Sequence, residues 1–203
     1  MPVTTVTLQP AEASAFDSYM DQDNATTNYG TNALLKVGTF GISSHIYTSA
    51  LKFALTTIPA SASILSATMS LYIAADNASG AQSVYAYRCL RDWVEAQVTY
   101  NIYSTGNNWT SGGGLGSGTD YTTTGGALCA FTATQVNGDE KQWNLKTLVE
   151  GWVSGANANY GVLLIQVAGT ADYWDLHSSS SATAGYYPKL TVTYATPGGS
   201  GWW

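Results

Sequence analysis

Apolar and polar residues alternate along most of this chain, in short runs separated by turn-forming residues. Residues 64–74 show the pattern best. Leu65, Ala67, Met69, Leu71 and Ile73 fall on one side of an extended backbone, and Ile64, Thr68, Ser70 and Tyr72 on the other. A period of two with one apolar side predicts a half-buried strand. The same reading predicts strands over 5–8, 16–20, 34–37, 46–55, 83–90, 127–132, 141–144, 161–167, 173–177 and 189–194. Many strands of about five residues joined by turns predict a sandwich or barrel.

One segment breaks the alternation. Leu145, Leu148, Val149 and Trp152 follow i, i+3, i+4, i+7 spacing, with Asn144 placed to cap the start and Gly155 the end. This predicts a short amphipathic helix. Two turns are marginal alone in water, so its apolar side is expected to cover the end of the sandwich. Residues 103–126 read as a long loop, with Gly112-Gly113-Gly114 and Gly116-Ser117-Gly118 in a Thr/Ser/Asn background and Trp109 and Tyr121 as its large anchors. Residues 197–203 read as a Gly-rich tail ending in Trp202-Trp203. The expected architecture is one all-β domain over 1–196, a sandwich of two antiparallel sheets with one short helix.

Composition narrows the setting. Of 203 residues, 45% are hydrophobic and 10% charged, against roughly 25% charged in ordinary soluble domains. Thr and Tyr favour strands, and Gly, Asn and Ser favour turns. A surface of hydroxyls and amides points to life outside the cytoplasm or in a large assembly. The net charge of −6 argues against nucleic-acid binding, which needs a basic footprint. No apolar run approaches the ~18 residues of a membrane span, so no membrane insertion is expected. Residues 1–6 have neither a basic nor an apolar leader region, and no secretory signal is expected. Cys89 and Cys129 lack metal-ligand spacing and read as free, buried thiols, with pairing left open.

Several motifs recur in a definite order. Asp17-Ser18-Tyr19-Met20-Asp21 is followed by Asn28-Tyr29-Gly30, Leu35-Lys36-Val37-Gly38, Leu51-Lys52-Phe53, Ile58-Pro59 and Ile64-Leu65-Ser66-Ala67. Then come Trp93-Val94-Glu95, Val98-Thr99-Tyr100-Asn101, Asn159-Tyr160-Gly161 and Pro188-Lys189-Leu190-Thr191-Val192-Thr193-Tyr194. This set, spanning roughly 6–195, resembles the DNRLRE domain, a jelly-roll module related to carbohydrate-binding modules. It departs from that family's pattern at Tyr100, where Trp is usual, and at Lys52, where Arg is usual. Lysine cannot reproduce a bidentate guanidinium contact. The resemblance implies a jelly-roll sandwich serving as an accessory or surface module, usually without enzymatic activity. It also implies a structural Ca²⁺, which such modules often carry.

Candidate chemistry is sparse. The two histidines are His45 and His177, and no nucleophile elbow, zincin motif or P-loop is present. His177 beside Ser178–Ser181 reads as a structural histidine. Asp172 and Asp175, at i, i+3 on a strand, face opposite sides and do not suit a glycosidase pair. No catalytic residue is expected. Asp17, Asp21 and Asp23, with Asn24, are the candidate metal ligands, since Ca²⁺ takes carboxylate and carbonyl oxygens; solvated turn carboxylates are the plainer reading. Trp93, Trp143 and Trp152 are assigned to the core. Trp109, Tyr121, Trp174, Tyr186 and Tyr187 are the candidate sugar-binding aromatics. N-glycosylation sequons at Asn24, Asn77 and Asn108 matter only on a eukaryotic secretory route.

Trp202 and Trp203 have no core of their own. They are expected to dock on a neighbouring subunit as interface anchors; deleting residues 198–203 would then abolish assembly, followed by light scattering, without unfolding the domain. The leading functional expectation is a non-catalytic phage virion protein. It would be a capsid decoration or tail/fibre component at the virion surface, with capsid or neighbouring subunits and glycans as partners and a homo-oligomeric state. The alternatives are a carbohydrate-binding module of a secreted or cell-surface protein, and a self-assembling surface filament protein.

Overall fold

A computed structural model describes residues 1–9, 15–41, 45–166 and 172–197 of the chain. Trp202 and Trp203 lie outside the described residues. The strands in chain order are β1 (Val3–Leu8), β2 (Ala15–Asp21), β3 (Leu34–Phe40), β4 (His45–Phe53), β5 (Ser63–Asp76), β6 (Gln82–Cys89), β7 (Ile102–Ser104), β8 (Asn107–Asn108), β9 (Tyr121–Phe131), β10 (Glu140–Asn144), β11 (Val162–Gln166), β12 (Tyr173–His177) and β13 (Lys189–Ala195), with helix α1 (Lys146–Val153) between β10 and β11.

Eleven of these strands form one antiparallel sheet in the order β1-β13-β5-β12-β3-β4-β11-β6-β9, with β10 beside β5 and β2 beside β4. The sheet curls on itself into the expected sandwich. Its halves are joined where Gly38–Phe40 of β3 pair with His45–Tyr47 of β4. The inward side chains fuse into one core: Met69, Leu71 and Ile73 from β5, Leu190 and Val192 from β13, Leu51 from β4, Val84 from β6, Val162 and Leu164 from β11. Phe131 sits between Trp143 and Trp174, with ring centroids 5.9 and 5.0 Å away. Trp143 donates its indole N–H to the Val84 carbonyl at 2.9 Å, so its apolar area is buried without an orphaned donor.

The alternation in β5 holds except at its start. Register with β13 slips between Thr193 and Tyr194, so that Thr193 opposes Ser66 but Tyr194 opposes Ile64. The unpaired residue of this bulge, Leu65, is 47% exposed, and Ile64 turns into the core at 3%. Simple alternation placed these two the other way round. A bulge inserts one residue and inverts everything beyond it.

Helix α1 buries Leu148, Val149 and Val153 against β5 and β9, closing one flank of the sandwich. Leu145 occupies its N-cap, and Asn144, one residue earlier, accepts the Lys146 N–H at 3.1 Å.

Residues 90–120 fold back over the outer side of β4, β11 and β6. There Ala50, Leu163, Ile165 and Cys89, which alternate with the inner-core residues, pack against Trp93, Val98 and Trp109 in a second apolar cluster. Hence 103–126 is no open loop. It contains the β7–β8 hairpin, and 121–126 extend β9. Both cysteines are free; burial pushes the Cys89 thiol up to about 12.

Candidate functional site

The segment over the outer face is organised by one carboxylate. Asp120 is fully buried. Its Oδ1 accepts the Thr110 N–H and its Oδ2 the N–H groups of Ser111 and Gly116, all at 3.0 Å. The Arg91 guanidinium reaches Oδ1 through Nε at 3.1 Å. Burial by itself would raise the pKa of this carboxyl. The backbone and guanidinium hydrogen bonds outweigh it and hold Asp120 below the usual carboxylate range. A side chain at Gly116 would stand 2.5 Å from Oδ2, so glycine is what lets the backbone come this close.

One further bond fixes the segment to the sandwich, and another braces it internally. Thr48 of β4 donates its hydroxyl to the Gly113 carbonyl at 2.8 Å, and the Trp109 indole donates to the Thr99 carbonyl at 3.0 Å. Between these anchors runs a groove of about 480 Å³ lined by Thr26, Thr99, Asn101, Ile102, Asn108, Trp109 and Gly112. None of these residues is ionisable. Thr26, Asn101 and Asn108 are exposed, and among the described residues the amides of Asn101 and Asn108 have no intramolecular partner. Such an arrangement can offer paired donors and acceptors above an apolar floor.

The aromatics expected to bind sugar are not gathered in one place. Trp109 lines the groove but is only 5% exposed, packed on Tyr103 at 5.4 Å; it contributes an edge. Tyr121 stacks on Tyr87, which in turn stacks on Tyr85, with centroids 5.1 and 5.0 Å apart. Trp174 is fully buried beside Phe131 and presents no face to solvent, because it occupies an inward position of β12 and not a loop. Tyr186 lies in a 3-10 turn, stacked on His177 at 4.7 Å. The adjoining Tyr187 is half-buried, and its carbonyl accepts from Gln9. The groove amides Asn101 and Asn108 were not among the sequence candidates, since nothing in a polar loop distinguishes a lining amide from a solvated one.

The acidic candidates are engaged with the protein itself. Asp17 is buried and accepts the Ser179 N–H at 2.8 Å. Asp21 meets His45 Nε2 at 2.5 Å and Asp23 meets His45 Nδ1 at 2.9 Å, and Asn24 donates to Asp21 at 2.8 Å. Among the described residues, no group of three or more His, Cys, Asp or Glu is arranged to hold a metal ion. Asp172 receives the Ser79 N–H at 2.5 Å, and Asp175 is paired with Lys36 at 2.8 Å. His177 Nδ1 lies 3.0 Å from Ser181 Oγ, with Ser181 buried.

A curled β-sandwich with an uncharged groove of amides, hydroxyls and an indole edge has the features of a ligand-binding module. The sequence profile of carbohydrate-binding module family 96 matches residues 5–113, slightly more than half of the chain. The chain belongs to that family. The match takes in every lining residue of the groove. No curated protein matches the chain. Family membership supports the carbohydrate-binding alternative over capsid decoration, for which nothing here speaks. The resemblance to the DNRLRE domain is upheld at the level of a carbohydrate-binding module and not of that particular family. Among the described residues, no helix is long and apolar enough to cross a membrane.

Proposed function

We propose that this chain is a non-catalytic module that holds a neutral polysaccharide in the groove beneath Trp109, on a protein displayed outside the cell. The observation that carries this reading is the groove's uncharged lining in a protein of net charge −6. An acidic glycan would meet no fixed cation in the groove and a repulsive field around it. A neutral glycan needs only hydroxyl-to-amide hydrogen bonds and an apolar patch for its C–H faces, which Asn101, Asn108, Ile102 and the Trp109 edge supply. The rigid support from Asp120 and Thr48 lowers the ordering cost of binding.

Isothermal titration against neutral and acidic polysaccharides tests this. Binding to a neutral polymer is expected, insensitive to salt, and weakened at least about tenfold in the Asn101→Ala/Asn108→Ala double variant, since each lost hydrogen bond is worth about 0.5–1.5 kcal/mol. Salt-sensitive binding to acidic polymers alone, or unchanged affinity in the double variant, would overturn the reading.

A further inference from the structure

A second feature adjoins the groove. Strand β4 changes partners at Thr48: Ser49–Leu51 pair with Val162–Leu164 of β11, whereas His45–Tyr47 pair with Gly38–Phe40 of β3. Beyond Leu164, β11 and β4 part company. In the resulting fork lies a recess of about 70 Å³, walled by Gly38, Ile46, Tyr47, Leu115, Ile165 and Gln166.

Two observations mark the recess as more than a packing gap. Both amide atoms of Gln166 are buried without a hydrogen-bond partner, although buried donors and acceptors in native proteins are nearly always paired. Room for that amide is also built in. Gly38 has φ +127, and a Cβ there would stand 2.8 Å from Gln166 Oε1 and 2.3 Å from the Asp172 carbonyl. The walls at Ile46, Tyr47 and Leu115 are half-exposed, and the buried Gln166 amide would turn toward the recess to meet a ligand there.

We infer that this fork is a subsite for the acetamido group of a 2-acetamido sugar. A primary amide presents a donor and an acceptor side by side, which complements the carbonyl and N–H of an acetamido group. Ile46, Leu115 and Ile165 supply an apolar wall for its methyl. The subsite is coupled to the groove by the short turn 112–115, since Gly112 lines the groove and Leu115 the recess. The inference rests on the chain being a glycan binder and adds which sugar its second contact selects.

The test is a titration of ¹⁵N-labelled protein with N-acetylglucosamine and, separately, with glucose. N-acetylglucosamine is expected to shift the Gln166 side-chain NH₂ resonances and the amides of Ile46 and Thr48, with glucose leaving them in place. Gln166→Leu, which keeps the volume and removes both polar atoms, is expected to weaken N-acetylglucosamine at least about tenfold, the scale of one or two lost hydrogen bonds. The Asn101→Ala/Asn108→Ala variant is expected to retain the shifts. Equal responses to both sugars, or none at Gln166 while the groove still takes up a neutral polysaccharide, would sink the subsite alone. A recess holding ordered water only, at saturating N-acetylglucosamine, would do the same. If neither sugar nor polysaccharide binds anywhere, both the subsite and the proposed function fall. Should Gln166→Leu not fold, the wild-type titration still decides.

Discussion

Replacing Asp120 with alanine is expected to cost about 2–4 kcal/mol of folding stability, below the range for breaking a fully buried charge pair because the Arg91 side chain is 32% exposed, and to abolish uptake of polysaccharide. The substitution strands the N–H groups of Thr110, Ser111 and Gly116, which this carboxylate receives. Each unpaired buried donor costs about 1–3 kcal/mol unless water reaches it. Arg91 loses its buried counter-charge at the same time. Because these donors bracket the turn that carries Gly112, the groove wall moves with them. Urea denaturation and titration calorimetry would read both effects. The pH dependence has a definite sign. The folded carboxyl is held below its usual value, so its stabilisation is fully present above the unfolded value near 4 and fades as pH falls through the lower folded value. The alanine variant should lack that acid-side loss. Wild-type stability and wild-type binding in Asp120→Ala would refute the assignment.

Asp17→Asn is expected to act in the opposite sense. Asp17 is 2% exposed, and its carboxyl is raised from 3.8 to about 7, chiefly by burial, against the lowering effect of hydrogen bonds from Ser179 and with a further raising effect of Glu95. Here folding takes up a proton. The folded state therefore loses stability as pH rises between about 4 and about 7, and the loss is complete above that window. At 1.36 kcal/mol per unit, a shift of this size corresponds to roughly 4 kcal/mol as an upper bound. Asparagine keeps an oxygen for the Ser179 N–H, which lies 2.8 Å away, and carries no charge to bury. The variant should match wild type near pH 4 and exceed it by roughly 2–4 kcal/mol at pH 8. Denaturation curves at pH 4, 6 and 8 that run parallel for the two proteins would rule this out.

What the sequence could disclose depended on how locally each feature is encoded. Strand positions were legible because period-two alternation is written residue by residue, and α1 because its apolar spacing is. Ile64 and Leu65 were inverted because a bulge is decided by the partner strand, in this case β13 at Thr193 and Tyr194. Residues 122–126 joined β9 without announcing it, being Thr and Gly with no apolar side. Trp174 and Trp109 illustrate a different gap. Aromatic residues carry the chemistry for stacking on sugars, but whether a ring turns outward is settled by packing, and both turned in. Least legible was Asp120. Its ligands are backbone N–H groups supplied by Thr110, Ser111 and Gly116, and backbone donors leave no mark in a list of side chains.

The dependence of the outer segment on one carboxylate has a consequence for how this module can vary. Shape and selectivity are assigned to different residues: Asp120 and its backbone ligands set the contour, whereas the side chains of Asn101 and Asn108 face solvent and, among the described residues, bond to nothing. Exchanging those two amides for other side chains would change what the surface recognises at little cost to the scaffold. The groove is thus a replaceable faceplate on a fixed mount, and a small panel of variants at positions 101 and 108 could be screened for new polysaccharide preferences without reselecting for folding.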